Sequence, residues 1–223
     1  MARPASFSSA ASGPRASNVN YLGAARARRK FELYYPEGFG DAAYLVAERS
    51  MKERAHLEWQ RELGPETWRK LLARGEYRQI ADTAQRIEAR TNLLFSFEKM
   101  ALREALRPAA AARLFAHELH AFLHGPGSAQ RRFEDWQQAV AELQRAHKRV
   151  CSWTVVTVFG FLAKPERHLF LKPRVTRAAA RAYGFDLPYE PRPLWRVYEG
   201  LHTFGAIIRR DLDRRPGLRA RDM

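Results

Sequence analysis

Three histidines stand close together as His117-Glu118-Leu119-His120, with His124 beyond. On a helix these positions are i, i+3 and i+7 and share one face. Neutral imidazoles presented on one face are what a transition metal needs. The zinc-protease pattern, however, requires His-Glu followed by a second His at i+4; here that His comes one residue early. No carboxylate or thiol at matching spacing completes a site, although Cys151 or His147 could be brought in by the fold. A metal at His117, His120 and His124 is therefore the alternative. The simpler reading is a helix end where imidazoles meet solvent and the negative end of the dipole. No cofactor is expected.

A second set of polar groups, Arg90, Asn92, Ser96, Glu98 and Lys99, interrupts the most apolar part of the chain. An isolated buried charge costs several kcal/mol, so these groups need partners if they are buried. They read either as a structural network or as part of an enzyme site. In the enzyme reading Arg90, Glu98, His120, His124 and His168 converge between a long helix and a hairpin. Familiar catalytic signatures are missing: no glycine-rich phosphate loop, no Gly-x-Ser-x-Gly elbow and no Cys-x-x-Cys pair. Asp211 and Asp213 lie among arginines and read as their charge partners.

The third candidate is electrostatic. Of the net charge of +15, residues 1–30 contribute six basic side chains and no acid. Residues 31–124 are balanced, with 14 of each sign. Between residues 145 and 181 nine basic side chains, Arg145, Lys148, Arg149, Lys164, Arg167, Lys172, Arg174, Arg177 and Arg181, face Glu166 alone. Such asymmetry suits a polyanionic partner. Arg and Lys neutralise phosphates, and the interleaved Trp153, Phe159, Phe161, His168 and Phe170 could stack on bases if exposed. Arg174, Arg177 and Arg181 recur on one helical face, and a helix start near Thr176 would add a site for phosphate. The alternative is a solvated charged face with the aromatics in the core.

The elements that must position these groups are mainly α-helical. Residues 1–20 are rich in Ser, Ala, Gly and Pro and predict disorder, giving a basic N-terminal arm over 1–30. Residues 31–223 form one mostly helical domain. Phe31–Tyr35 alternates as a short extended segment. A helix fits Asp41–Leu63, with Asp41 as N-cap and Tyr44, Val46 or Ala47, Met51, Ala55, Trp59 and Leu63 along its stripe. Pro65 opens the next helix, which stops near Gly75. A long helix from Glu76 to Leu106 follows, and its Ile87–Leu106 part is apolar nearly all round. Such a helix is normally enclosed by others, so it is the expected centre of a bundle-like domain. Further helices are predicted over Ala109–Leu123, Ala129–Arg149, Thr176–Tyr183 and Leu194–Leu212. The β-branched run Thr154–Val158 and His168–Leu171 predict a small β-hairpin around the turn at Ala163–Arg167.

Four motifs stand out as they are written: RTNLLFSFEKMALR at 90–103, FLAKPERHLFLKP at 161–173, YYPEGF at 34–39 and RARDM at 219–223. They resemble a family of uncharacterised bacterial proteins from about Phe31 onward. That family has no established activity, so no catalytic residue is carried over. The resemblance implies a further apolar segment beyond Met223: either the C-terminus is truncated or the last core element is missing, which leaves part of the C-terminal core for a protein partner to cover. Three functions follow as expectations: binding of DNA or RNA through phosphates, an enzyme, or a scaffold subunit of a bacterial complex. The single cysteine, Cys151, precludes an intrachain disulfide and fits a reducing, cytoplasmic setting. The longest apolar run, Val155–Ala163, is far short of the roughly 20 residues that span a membrane.

Overall fold

The computed structural model describes residues 20–143 and 150–219, and all regular elements among them are helical. The chain enters α1 (Tyr21–Tyr34) through Asn20, whose side chain accepts the Gly23 N–H at 3.0 Å. The expected basic arm is thus helical from Tyr21; residues 1–19 lie outside the described residues. Phe31 and Tyr35 do not begin an extended segment. Phe31 lies in the last turn of α1 and Tyr35 caps it, and both rings join Phe39 and Tyr44 in an aromatic cluster with centroids 5.1–5.6 Å apart. Burying those rings favours the helix over the alternation seen in sequence.

Asp41 caps α2 (Ala42–Tyr44) by accepting the Ala43 N–H at 2.9 Å, as expected. A π-helical turn at Leu45–Arg49 then shifts the register before α3 (Ser50–Leu63). The shift leaves Val46 exposed while Ala55, Trp59 and Leu63 are buried. Pro65 opens α4 (Pro65–Ala73), and Gly75, at φ +71°, ends it.

The long helix expected from Glu76 to Leu106 is two helices, α5 (Tyr77–Ala89) and α6 (Ser96–Ala105). Two buried carboxylates hold the turn between them. Glu88 Oε1 accepts from Leu94 N at 3.2 Å and from Thr91 Oγ1 at 3.3 Å. Glu98 Oε2 accepts the Phe95 N–H at 3.0 Å, as an acid at the third helical position does. Lys99 Nζ closes the turn by donating to Thr91 O at 2.7 Å. With the break in place, Phe95, Phe97 and Met100 face outward, so this stretch is not the enclosed centre.

That role falls to α9 (Trp153–Ala163), where a strand was expected. Every residue of α9 except Phe161 is buried, and α3, α5, α7 and α8 pack around it. Tertiary burial overrides the β preference of its valines and threonines. Its hydroxyls are used locally. Ser152 Oγ accepts the Val155 N–H at 3.3 Å, while Thr157 Oγ1 donates to Trp153 O at 2.7 Å and accepts the Leu171 N–H at 3.1 Å. The segment His168–Leu171 is irregular and lies against this helix rather than pairing as a second strand.

Around this centre run α7 (Ala109–His124), α8 (Ala129–Glu142), α10 (Pro173–Ala182) and α11 (Trp195–Leu212). The helix predicted to Arg149 ends at Glu142, and the part of that prediction over 144–149 lies outside the described residues. Thr176 does not cap α10; it is buried within it, and the helix begins a turn earlier at Pro173. Phe115, Phe133, Trp136 and Phe159 fill the main core. A separate small cluster of Ala24, Ala180, Tyr183 and Phe204 joins α1 to α10 and α11. No helix among the described residues is long and apolar enough to cross a membrane.

Candidate functional site

Among the described residues the histidines on α7 do not assemble a metal site; His147 lies outside them. The His117 ring packs on Tyr77 at 5.1 Å, while the His120 and His124 centroids lie 5.1 Å apart. Lys164 Nζ reaches Leu123 O at 2.7 Å and His124 Nδ1 at 3.1 Å. An ammonium thus occupies the C-terminal end of α7, where the dipole favours it. Burial and that ammonium push His124 down to about 4. The described residues contain no group of three His, Cys, Asp or Glu able to hold a metal ion.

The proposed enzyme groups fall into two sets: His120, His124 and His168 all lie within reach of the Lys164 charge, whereas Arg90 and Glu98 are tied to other partners. Arg90 donates to Glu58 at 2.6 and 2.7 Å, tying α5 to α3. His168 faces Tyr198 and Phe122, with Nδ1 3.2 Å from the Tyr198 hydroxyl. Glu98 bridges α6 to α9 by accepting from Ser152 Oγ at 3.0 Å and from Thr154 Oγ1. Arg90 and Glu98 are structural ties, as the network reading expected.

An open groove of about 1370 Å³ lies between α1 and α10. The residues Cys151–Thr154 that lead into α9, together with Phe95 and Phe97, line its base, and Tyr189 and Pro191 lie along it. The Trp153 indole fixes the latter loop by donating to Glu190 O at 2.7 Å. Arg26 and Lys30, one turn apart on α1, line one wall; Lys172 and Arg174, at the start of α10, line the other. None of the four has a carboxylate partner among the described residues. Among the described residues lining the groove, Glu98 is the only acid, and both its oxygens are engaged. The first turns of α1, α6, α9 and α10 all contribute lining residues. The α1 start, however, abuts the carbonyl end of α10 through Asn20 N and Tyr183 O at 2.9 Å, and the Glu98 carboxylate sits at the starts of α6 and α9. The start of α10 is the positive end left without such a counterpart among the described residues.

The nine cations singled out in sequence therefore divide. Lys172 and Arg174 line the groove, and Arg177 lies 4.8 Å above the Tyr189 ring. Arg181 is exposed on α10 but does not line it. Lys164 is committed to α7, and Arg167 lies 3.9 Å from Glu166 beside a different pocket near His202. Arg145, Lys148 and Arg149 lie outside the described residues. Of the interleaved aromatics, Trp153 and Phe159 are core residues, whereas Phe95 and Phe97 carry the exposed rings. Arg26, Lys30, Phe95, Phe97 and Tyr189 were not singled out for this role from sequence. The signal for the two phenylalanines is the Thr91-Asn92 turn chemistry followed by Glu98 in a capping position. For Arg26 and Lys30 it is their i, i+4 spacing. No family model, curated protein or solved structure matches the chain.

Proposed function

We propose that the protein binds nucleic acid through phosphate contacts along the groove between α1 and α10. The observation that carries this reading is the set Arg26, Lys30, Lys172 and Arg174, contributed to one groove by two helices and without carboxylate partners among the described residues. Cations on two sides of one groove suit a chain of repeated anions better than a single anion. The positive start of α10, beside Lys172 and Arg174, acts in the same direction at no cost in side-chain entropy.

Titrating labelled DNA and RNA at roughly 50 and 200 mM salt tests the reading, because phosphate contacts make affinity fall steeply between those conditions. Lys30→Gln and Arg174→Gln should each weaken binding and reduce the salt slope by about one. Arg167→Gln, outside the groove, should leave both unchanged. Absence of binding at the lower salt would retire the reading.

A further inference from the structure

The groove also carries two aromatic faces in a position to do more than fill space. Phe95 and Phe97 are 52% and 57% exposed, their centroids 5.6 Å apart and their planes within 7° of parallel. The Lys172 ammonium sits 5.2 Å from the Phe95 centroid, and Met100, also exposed, follows Phe97 by one turn. Further along the groove Tyr189 lies beneath the Arg177 guanidinium. The backbone at Phe95 is pinned by Glu98, so these rings project from a fixed turn rather than a loose one.

We infer that the groove takes a single-stranded nucleic acid, with unpaired bases stacked on Phe95 and Phe97 and the backbone held by Arg26, Lys30, Lys172 and Arg174. The inference rests on the phosphate-binding reading and adds the form of the nucleic acid. In a duplex the base faces are already covered by their neighbours, so a parallel ring pair at the base of a groove gains nothing from them. An unpaired base offers a flat π-face, and stacking of this kind tolerates any sequence. Alternation of flat apolar surface with cations is the pattern of a single strand, which alternates bases with phosphates. An acidic peptide would satisfy the cations but has no repeating flat face. A lipid would match the apolar base but brings its charge to one end only.

The test uses the full chain and fluorescence anisotropy at low salt, with labelled oligonucleotides of about 16 nucleotides, at the upper end of common site sizes. The same sequence is offered as single-stranded DNA, as single-stranded RNA and as duplex DNA. At least one single strand should bind tenfold or more tightly than the duplex. Replacing both rings, Phe95→Leu with Phe97→Leu, should weaken single-strand binding by roughly thirtyfold or more, the effect of two lost stacking contacts at about fivefold to a hundredfold each, and leave the salt slope unaltered. Phe97→Trp should retain affinity and add to the emission of the five native tryptophans a component that the strand quenches beyond the quenching seen in the parent. Equal binding of duplex and single strand, insensitive to the leucine variants, would overturn the stacking inference and leave phosphate binding standing. No oligonucleotide binding at all would remove both. Capture on phosphatidylglycerol vesicles that no oligonucleotide displaces would assign the groove to a lipid and overturn the inference as well.

Discussion

Burial lowers the pKa of four histidines, His120, His124, His168 and His202, most strongly at His168 and His124. His168 is pushed down to about 3 by desolvation, with His202, Lys164, Arg132 and Arg167 nearby adding positive charge, and His124 is pushed down to about 4 by desolvation and Lys164. Both are neutral in the fold at pH 7. An unfolded histidine binds its proton near pH 6.5, so between that pH and the folded values the unfolded chain holds more protons. Stability is therefore complete above about pH 6.5 and falls as the pH drops toward 4, by at most about 1.4 kcal/mol per pH unit for each histidine, less solvent screening. Glu88 works in the opposite sense, because burial raises its pKa and the fold then takes up the proton first on acidification. Comparing the parent with His168→Gln separates the two. The loss of urea midpoint between pH 7 and pH 5 should be smaller in the variant. Identical losses would show that His168 does not titrate between the two states.

Among the elements, α1 determines whether the groove has two walls. It approaches α10 so closely at Gly23 that a Cβ there would lie 1.9 Å from the Ala182 carbonyl oxygen. Gly23→Ala must displace α1, with a strain of about 1–3 kcal/mol. Because Arg26 and Lys30 ride on that helix, oligonucleotide affinity at low salt should fall along with the salt slope while helical circular dichroism is retained. An unchanged slope would mean that these two cations contact no phosphate. The same scale shows what could be read in the sequence. The Asp41 cap, Pro65, the Gly75 stop and the stripe of Tyr198, Leu201 and Phe204 in α11 were legible because local chemistry and packing agree there. The turn at residues 90–95 was not, since Leu93 and Leu94 continue the apolar pattern while Glu88 and Glu98 break it from either side. The groove was only half legible. The charge on α10 was visible, but its facing wall on α1 is distant in sequence, and no local pattern announces that the two helices meet.

Over the whole molecule charge and core share the same stretches of chain. The electrically balanced segment from residue 31 to 124 supplies about half of the main core, and the basic region from 145 to 181 supplies its central helix as well as Lys172 and Arg174 of the groove. The buried helix α9 sits at the centre of that core with a composition that prefers a different structure. Thr154–Phe159 combines high β preference and strong hydrophobicity with no charge and no proline, which is the signature of segments that form steric zippers. Packing by α3, α5, α7 and α8 is what keeps it helical. Heating should therefore be irreversible, with a melting temperature that depends on scan rate, and a peptide spanning residues 153–163 should assemble into cross-β fibrils. A reversible melt together with a monomeric peptide would contradict this. The working lifetime of the protein is then governed by how often its innermost helix is uncovered, a kinetic quantity, rather than by the depth of its equilibrium well.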